Sequence, residues 1–495
     1  MLFIVSALLA RSVRAAVFPV TADMRDAASA IIQRLLPASG VTQLSSAAWQ
    51  RLAYMTDTFG PRFSGSAGLE RALDWVRDTA RAVDGLRVTE MVTMVPRWVR
   101  GNESAWLTAP RLKKLHFVGL GMSVGTNGSD LNAPVFVISG ASPADAYQSL
   151  QGNCSAIQSL AEKPIVLFNV PFTTYGGTVP VRASCGEWAA ACGAVGALIR
   201  SVGPFSLQNP HTGATTPSIP SGAVSLEDAA QLQRMFDRGQ AIRVTLNMQA
   251  QQLPDSQSRN LLIDLVGSGA PEEFVVVSGH ADSWDIAEGA MDDGGGAVGA
   301  WEAVRTVAAL GLKPKRTLRA VLWVNEENGD RGGAQYAADF GPNGTNALAR
   351  HSFMLETDSG AFTPFGIGVS CAAGADCGAA QAQLALIGAA LLGGIGSGNV
   401  SAGGGGTDVD PSCAASGVPC IGLNVLDPRL SADSNNPCIA DAMGAWASPP
   451  WAWSAAAPPY DSQYFWVHHS EGSWAQKARA RARARASRPK KPRAC

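Results

Sequence analysis

Four short runs set the terms for the second half of this 495-residue chain: LLIDLVG, EFVVVSG, LRAVLWV and SFMLET, all between residues 261 and 357. Each is apolar at nearly every position, the pattern of a strand covered on both faces rather than one with a wet side. Between the second and third lies GAVGAWEAVRTVAALGLKP, where Val298, Trp301, Val304 and Ala308 share a helical face and Gly311 with Pro314 closes the helix. Strand, helix, strand in that order predicts a parallel sheet with crossovers. The residues just beyond each strand then matter most, because the carboxyl ends of parallel strands open onto a shared crevice. His280 and Asp282 come directly after VVVSG, Glu326 and Glu327 after LWVN, and Asp358 after FMLET.

Imidazole and carboxylate together suit borderline divalent metals, zinc above all. One residue separates His280 from Asp282, so both can leave a strand end on the same side, with Asp282 fixing the imidazole tautomer from behind. Asp292 has two oxygens and can bridge two ions. Gly294 to Gly296 then let the backbone turn tightly beside the site. Two adjacent glutamates ending a buried strand are costly unless a cation or proton compensates them. One can bind metal while the other moves protons for a hydrolase. Near the end, YFWVHHSEG places His468 and His469 after an aromatic run, a pattern that by itself suits a tag-like accident and a core feature equally.

The rest of the chain frames that half. Its length predicts two or more domains. Helices are expected in DAASAIIQRLL and in GLERALDWVRDTARAV, whose Leu69, Ala72, Trp75 and Val76 line one face. From about 121 to 250 the pattern shifts to short β-rich runs, read as an inserted subdomain. The last nineteen residues hold nine of the 39 Lys and Arg; the remaining 30 basic residues face 40 acidic ones, a net of −10. A body so acidic is a poor partner for nucleic acid. The opening MLFIVSALLARSVRA (1–15) reads as a signal peptide, too short to span a bilayer, so no membrane anchor is expected. Five Asn-x-Ser/Thr sequons, at Asn102, Asn127, Asn153, Asn343 and Asn399, suit the secretory route, as would one or two local disulfides among the nine cysteines.

The motifs SGHADSWD, GAMDDGGGA, NEENG, LETDSG, GTD and HHSEG resemble the co-catalytic di-zinc aminopeptidase/carboxypeptidase family, and the likeness continues upstream through DTFGPRFSGSAGLE and IRSVGPFSLQNPHTG. The resemblance implies an α/β fold: a zinc-peptidase three-layer sandwich with a mostly parallel central sheet (46–120 and 251–473), plus a protease-associated-like β-rich insert (121–250). Residues 16–45 would be a possible propeptide helix. It implies two zinc ions, one held by His280, Asp292 and Asp358 and the other by Asp292, Glu327 and His469. Glu326 would be the general base, His468 a contact to the substrate carbonyl oxygen, and Asp282 and Asp408 supports behind the ligands. The peptide after Asp292 is expected to be cis. The implied activity is exopeptidase action on dipeptides or short peptides with a free N-terminus, by a secreted or lysosomal homodimer. Ser473 stands where the family has Asp, and an Arg-Ala alternation at 474–495 replaces its closing helix, which leaves a catalytically impaired or non-catalytic binding protein as the alternative.

Overall fold

The computed structural model describes residues 18–36, 47–173, 175–203, 208–360, 363–372 and 377–426. His468, His469, the segment from 427 onward and the signal stretch 1–15 lie outside the described residues. Sixteen strands occur in these, β1 (Leu86–Val99), β2 (Glu103–Ala109), β3 (Lys113–Lys114), β4 (Phe117–Gly119), β5 (Leu131–Ser139), β6 (Ile165–Asn169), β7 (Gly196–Arg200), β8 (Ser221–Val224), β9 (Arg243–Met248), β10 (Gln251–Leu265), β11 (Ala270–His280), β12 (Arg316–Trp323), β13 (His351–Glu356), β14 (Thr363–Ser370), β15 (Asn399–Ala402) and β16 (Cys420–Leu426). They form two eight-stranded sheets, ordered β1-β10-β12-β11-β13-β16-β14-β15 and β3-β2-β9-β5-β6-β7-β8-β4.

In the first sheet β12, β11, β13 and β16 run parallel, and antiparallel partners β10 and β14 flank them. The apolar runs are these strands, and both faces are covered as their composition requires. One face packs helices Ala22–Leu35, Ala67–Arg81, Gly295–Ala309 and Gly378–Leu391, through Ile31, Leu73, Trp301 and Leu384. The other packs Arg331–Phe340 and Asp410–Ser416, through Tyr336 and Cys413. The three-layer sandwich is therefore present. Helix Ala22–Leu35 is docked rather than loose: Ile31 is fully buried, and Phe18 exchanges hydrogen bonds with the Gln383 side chain at 2.6 and 3.1 Å.

The second sheet has a parallel centre, β5 to β8, with antiparallel β9 and β4 at its flanks. Helices Pro143–Ser159 and Tyr175–Ala191 cover one face and Leu226–Asp237 the other. It is an α/β unit rather than a β-rich one, and it starts earlier than residue 121, since β2 to β4 belong to it. The sequence hides this because β2, β3 and β4 are short and separated by polar turns. Three disulfides join described residues: Cys154–Cys192, Cys371–Cys377 and Cys413–Cys420, with Cys185 a buried thiol. The two short-range pairs fit the expected local bridges. Cys154–Cys192 closes a loop of 38 residues that spacing alone did not suggest.

Candidate metal centre

His280 is the last residue of β11, the strand between β12 and β13, so its side chain leaves the middle of the parallel sheet at the carboxyl end. It is fully buried. Its Nδ1 lies 3.0 Å from the Asp282 carbonyl and 3.7 Å from the Asp282 carboxylate, so Nδ1 carries the proton and Nε2 faces inward as a ligand atom. That Nε2 sits 3.1 Å from Asp292 Oδ1, 3.7 Å from Asp358 Oδ1 and 3.8 Å from Glu326 Oε2. Among the described residues, His280, Asp292 and Asp358 can each offer one ligand atom with all three within 4.8 Å of one another. Glu327 stands apart from that trio. Its Oε1 is buried without a hydrogen-bond partner among the described residues, a polar atom that a cation would satisfy.

The supports are ordered in a ring. Asp282 accepts from the backbone N–H of Glu326 at 3.2 Å and of Glu327 at 3.3 Å, and from Ser64 Oγ at 3.1 Å. One carboxylate thus ties the β11 and β12 ends together. Asn325, in a left-handed conformation at φ 69°, donates to Ser64 Oγ and to Asn328 Oδ1. Asp293 accepts from the His280 N–H at 3.1 Å and the Gly296 N–H at 3.0 Å, pinning the Asp292 loop to the strand. The Asp292–Asp293 peptide is cis, as the resemblance implied. A Cβ on Gly296 would come within 2.0 Å of the Thr357 carbonyl, so only glycine lets the helix start approach this closely. Thr407 Oγ1 donates to Glu326 Oε1 at 2.6 Å, leaving Oε2 toward the imidazole. Asp408 is fully buried, and the backbone N–H groups of Asp408 and Val409 both donate to Glu356 Oε2.

So many acids around one buried imidazole shift the titration of several of them. Burial, offset by His280 and reinforced by Asp358 and Asp292, pushes the Glu326 carboxyl up to about 8. Burial and then Asp292 hold Glu327 well above the usual carboxylate range, and burial with Glu356 does the same for Asp408. Burial pulls His280 down, yet its bonds to Asp292 and Asp358 keep it well above an ordinary imidazole. Left to itself the cluster collects protons; a divalent cation would replace them. The donor set of one imidazole and several carboxylates, with an orphaned carboxylate oxygen, fits zinc.

Some of the ring escaped the reading from sequence. Ser64 and Arg62 come from DTFGPRFSGS, about 220 residues before the ligands. The buried Arg62 guanidinium donates to the carbonyls of Ala281 (2.8 Å), Glu288 (2.7 Å) and Gly289 (2.6 Å), fixing the loop that connects His280 to Asp292. The Pro-Arg-Phe-Ser-Gly pattern between two helices was the only available signal.

Comparison with known proteins accords with this geometry. The profile described as Peptidase family M28 matches residues 260–483. Carboxypeptidase Q of Mus musculus is 41% identical over 352 residues, 70% of this chain and 71% of that one. The chain belongs to peptidase family M28. Within M28, carboxypeptidase Q of Homo sapiens is 40% identical over 70% of this chain and 71% of its own length, and that of Bos taurus 42% identical over 64% and 66%. Among solved M28 structures, a Peptidase M28 precursor from Shewanella amazonensis superposes with TM-score 0.69 at 27% identity, covering 87% of this chain and 96% of that one. The zinc aminopeptidase of Bacillus subtilis shares the fold at TM-score 0.57 and 18% identity, covering 84% and 91%.

Proposed function

We propose that this M28 chain is a zinc-dependent exopeptidase that hydrolyses dipeptides or short peptides with a free N-terminus. The observation that carries the reading is the convergence of Asp292 and Asp358 on the buried His280 imidazole, with Glu326 Oε2 facing the same ring nitrogen. His280, Asp292 and Asp358 would hold one zinc, and Asp292, Glu327 and His469 a second. Zinc, when bound, polarises the scissile carbonyl and makes water acidic enough to attack at neutral pH.

The chain's own groups do the rest. Glu326 Oε2 takes the proton from the attacking water and returns it to the leaving amine, while Thr407 Oγ1 holds the other oxygen so that the carboxylate cannot swing away. Asp282 orients His280 and, through two backbone N–H groups, the turn carrying both glutamates. Glu356 braces the Thr407 turn by accepting from the backbone N–H groups of Asp408 and Val409, and Asp408 would support the ligands from behind. His468 would contact the carbonyl oxygen of the substrate. Metal binding alone accounts for the buried carboxylates but not for Glu326, which Thr407 holds beside the ligand trio; that residue argues against the non-catalytic alternative.

A secreted or lysosomal homodimer is the accompanying reading. Three disulfides and four exposed sequon asparagines, Asn102, Asn127, Asn343 and Asn399, support the oxidising route. No helix among the described residues is long and apolar enough to cross a membrane. The test is metal counting together with release of free amino acids from a dipeptide panel. Two zinc ions per chain and activity abolished by chelator, then restored by zinc, are expected; hydrolysis that survives complete metal removal would refute the assignment.

A further inference from the structure

A second polar cluster belongs to the other sheet. Tyr175 and Arg182 share a face of helix Tyr175–Ala191, about two turns apart, and His211 lies on the segment returning to β8. Arg182 Nη1 donates to the Tyr175 hydroxyl at 2.9 Å and meets His211 Nε2 at 3.2 Å, while the Tyr175 and His211 rings stack at 5.6 Å. A guanidinium can only donate, so His211 Nε2 accepts and its proton sits on Nδ1. That Nδ1 is buried with no partner among the described residues, and so is Arg182 Nε. His211 is 1% exposed. Burial and the adjacent Arg182 cation hold its imidazole well below the ordinary range, so it stays neutral. Two buried N–H donors aimed at no acceptor, one on a guanidinium that no described carboxylate pairs, mark a place for an anion.

The cluster faces the metal centre. Asp292 and Glu327 are near enough to act on the Tyr175 phenol. Asn328, next to Glu327, donates to Met122 Sδ at 3.2 Å; Gly121 beside it receives Thr215 N–H at 2.9 Å and donates to the Gly213 carbonyl at 2.9 Å. Gly213 has no room for a Cβ, which would lie 2.3 Å from Arg182 Nη1. The Arg182 guanidinium is therefore packed against the backbone that borders the glutamate turn.

We infer that Arg182, held by Tyr175 and His211, binds the free terminal carboxylate of the peptide and so restricts this enzyme to substrates short enough to reach it. This rests on the exopeptidase reading above. The side-on edge of a guanidinium matches a carboxylate bidentately, and Nε belongs to that edge. Each added residue would push the terminal carboxylate about 3.5 Å further out, beyond a fixed arginine.

The test uses the full-length, zinc-loaded protein with a dipeptide and the same dipeptide as its C-terminal amide. Wild type is expected to favour the free acid. Arg182→Met should lower kcat/KM for the acid by about 30-fold or more, the scale of a charge-assisted hydrogen bond, and leave the amide within about threefold. Arg182→Lys should recover part of the loss on the acid alone. Equal losses on acid and amide would reduce Arg182 to a packing residue, and an unchanged acid-to-amide ratio would remove it from recognition; either overturns the inference while leaving the zinc chemistry intact. A wild-type protein that cleaves neither substrate would instead overturn the exopeptidase reading itself.

Discussion

The two ends of the first sheet bury charge in opposite ways. At the amino end of its parallel strands, Arg319 on β12 pairs both oxygens of Asp264 at 2.8 and 2.9 Å and donates to the Tyr336 hydroxyl, which donates to His351 Nε2 at 2.8 Å while His351 Nδ1 donates to the Ala347 carbonyl. The buried Arg319 cation has its carboxylate, which the exposed Arg87 also reaches at 2.8 Å, and the donors and acceptors named are matched. At the carboxyl end, acids outnumber cations around His280, and oxygens of Glu327, Glu356 and Asp408 have no hydrogen-bond partner among the described residues. A completed network holds the fold; an incomplete one is where a ligand enters.

Substitutions should separate the two ends. Glu326→Gln removes the proton carrier but keeps the side chain's shape, so activity should fall about 10²- to 10⁴-fold with zinc content and melting temperature nearly unchanged; turnover at the wild-type rate would end its role as base. At the opposite end, Asp264→Ala strands a buried guanidinium and should cost about 3–5 kcal/mol, read from denaturant midpoints, while the molecules still folded retain wild-type kcat. A loss of kcat without loss of stability would erase the contrast.

Acid should sharpen it further. Burial, only partly offset by the Ala347 carbonyl, lowers His351 to about 4. Unfolded, it titrates near the usual 6.5, so the unfolded chain takes up a proton that the native state refuses. The stabilising contribution is complete above about pH 6.5 and is lost as pH falls toward 4, amounting to about 3 kcal/mol. His351→Gln, which can still accept from Tyr336, should flatten that part of the stability profile; an unaltered slope between pH 7 and 4.5 would show that other groups govern it. The smallest effect is expected at Ser64→Ala. It deletes one donor to Asp282, for about 1 kcal/mol of stability and roughly tenfold in zinc affinity, measured by competition with a chelator.

Asp282, Glu326 and Asp358 were legible because each comes just after an apolar run, and a strand end is the one place where that order of residues has chemical meaning. Asp292 was legible for another reason, the three glycines that follow it, and it too lies beside His280. Arg319 was not legible, since a single arginine inside LRAVLWV gives no hint of partners on β10 and on helix Arg331–Phe340. Ser64 and Arg62 act across some 220 residues, a separation at which sequence pattern carries no pairing information. The second sheet misled in a different way: its helices alternate with strands too short to show a clear period, so it read as β-rich. His468 and His469 fall outside the described residues, and their roles stay as proposals.

His280 stands on the strand enclosed by β12 and β13, themselves flanked by β10 and β16. Backbone amides so placed are the last to exchange with solvent, because opening them means opening the whole layer. Heating should therefore leave the zinc pocket intact until global melting, and curves followed by turnover and by circular dichroism should overlay. An enzyme built this way has no partly melted, inactive form to pass through: it fails all at once.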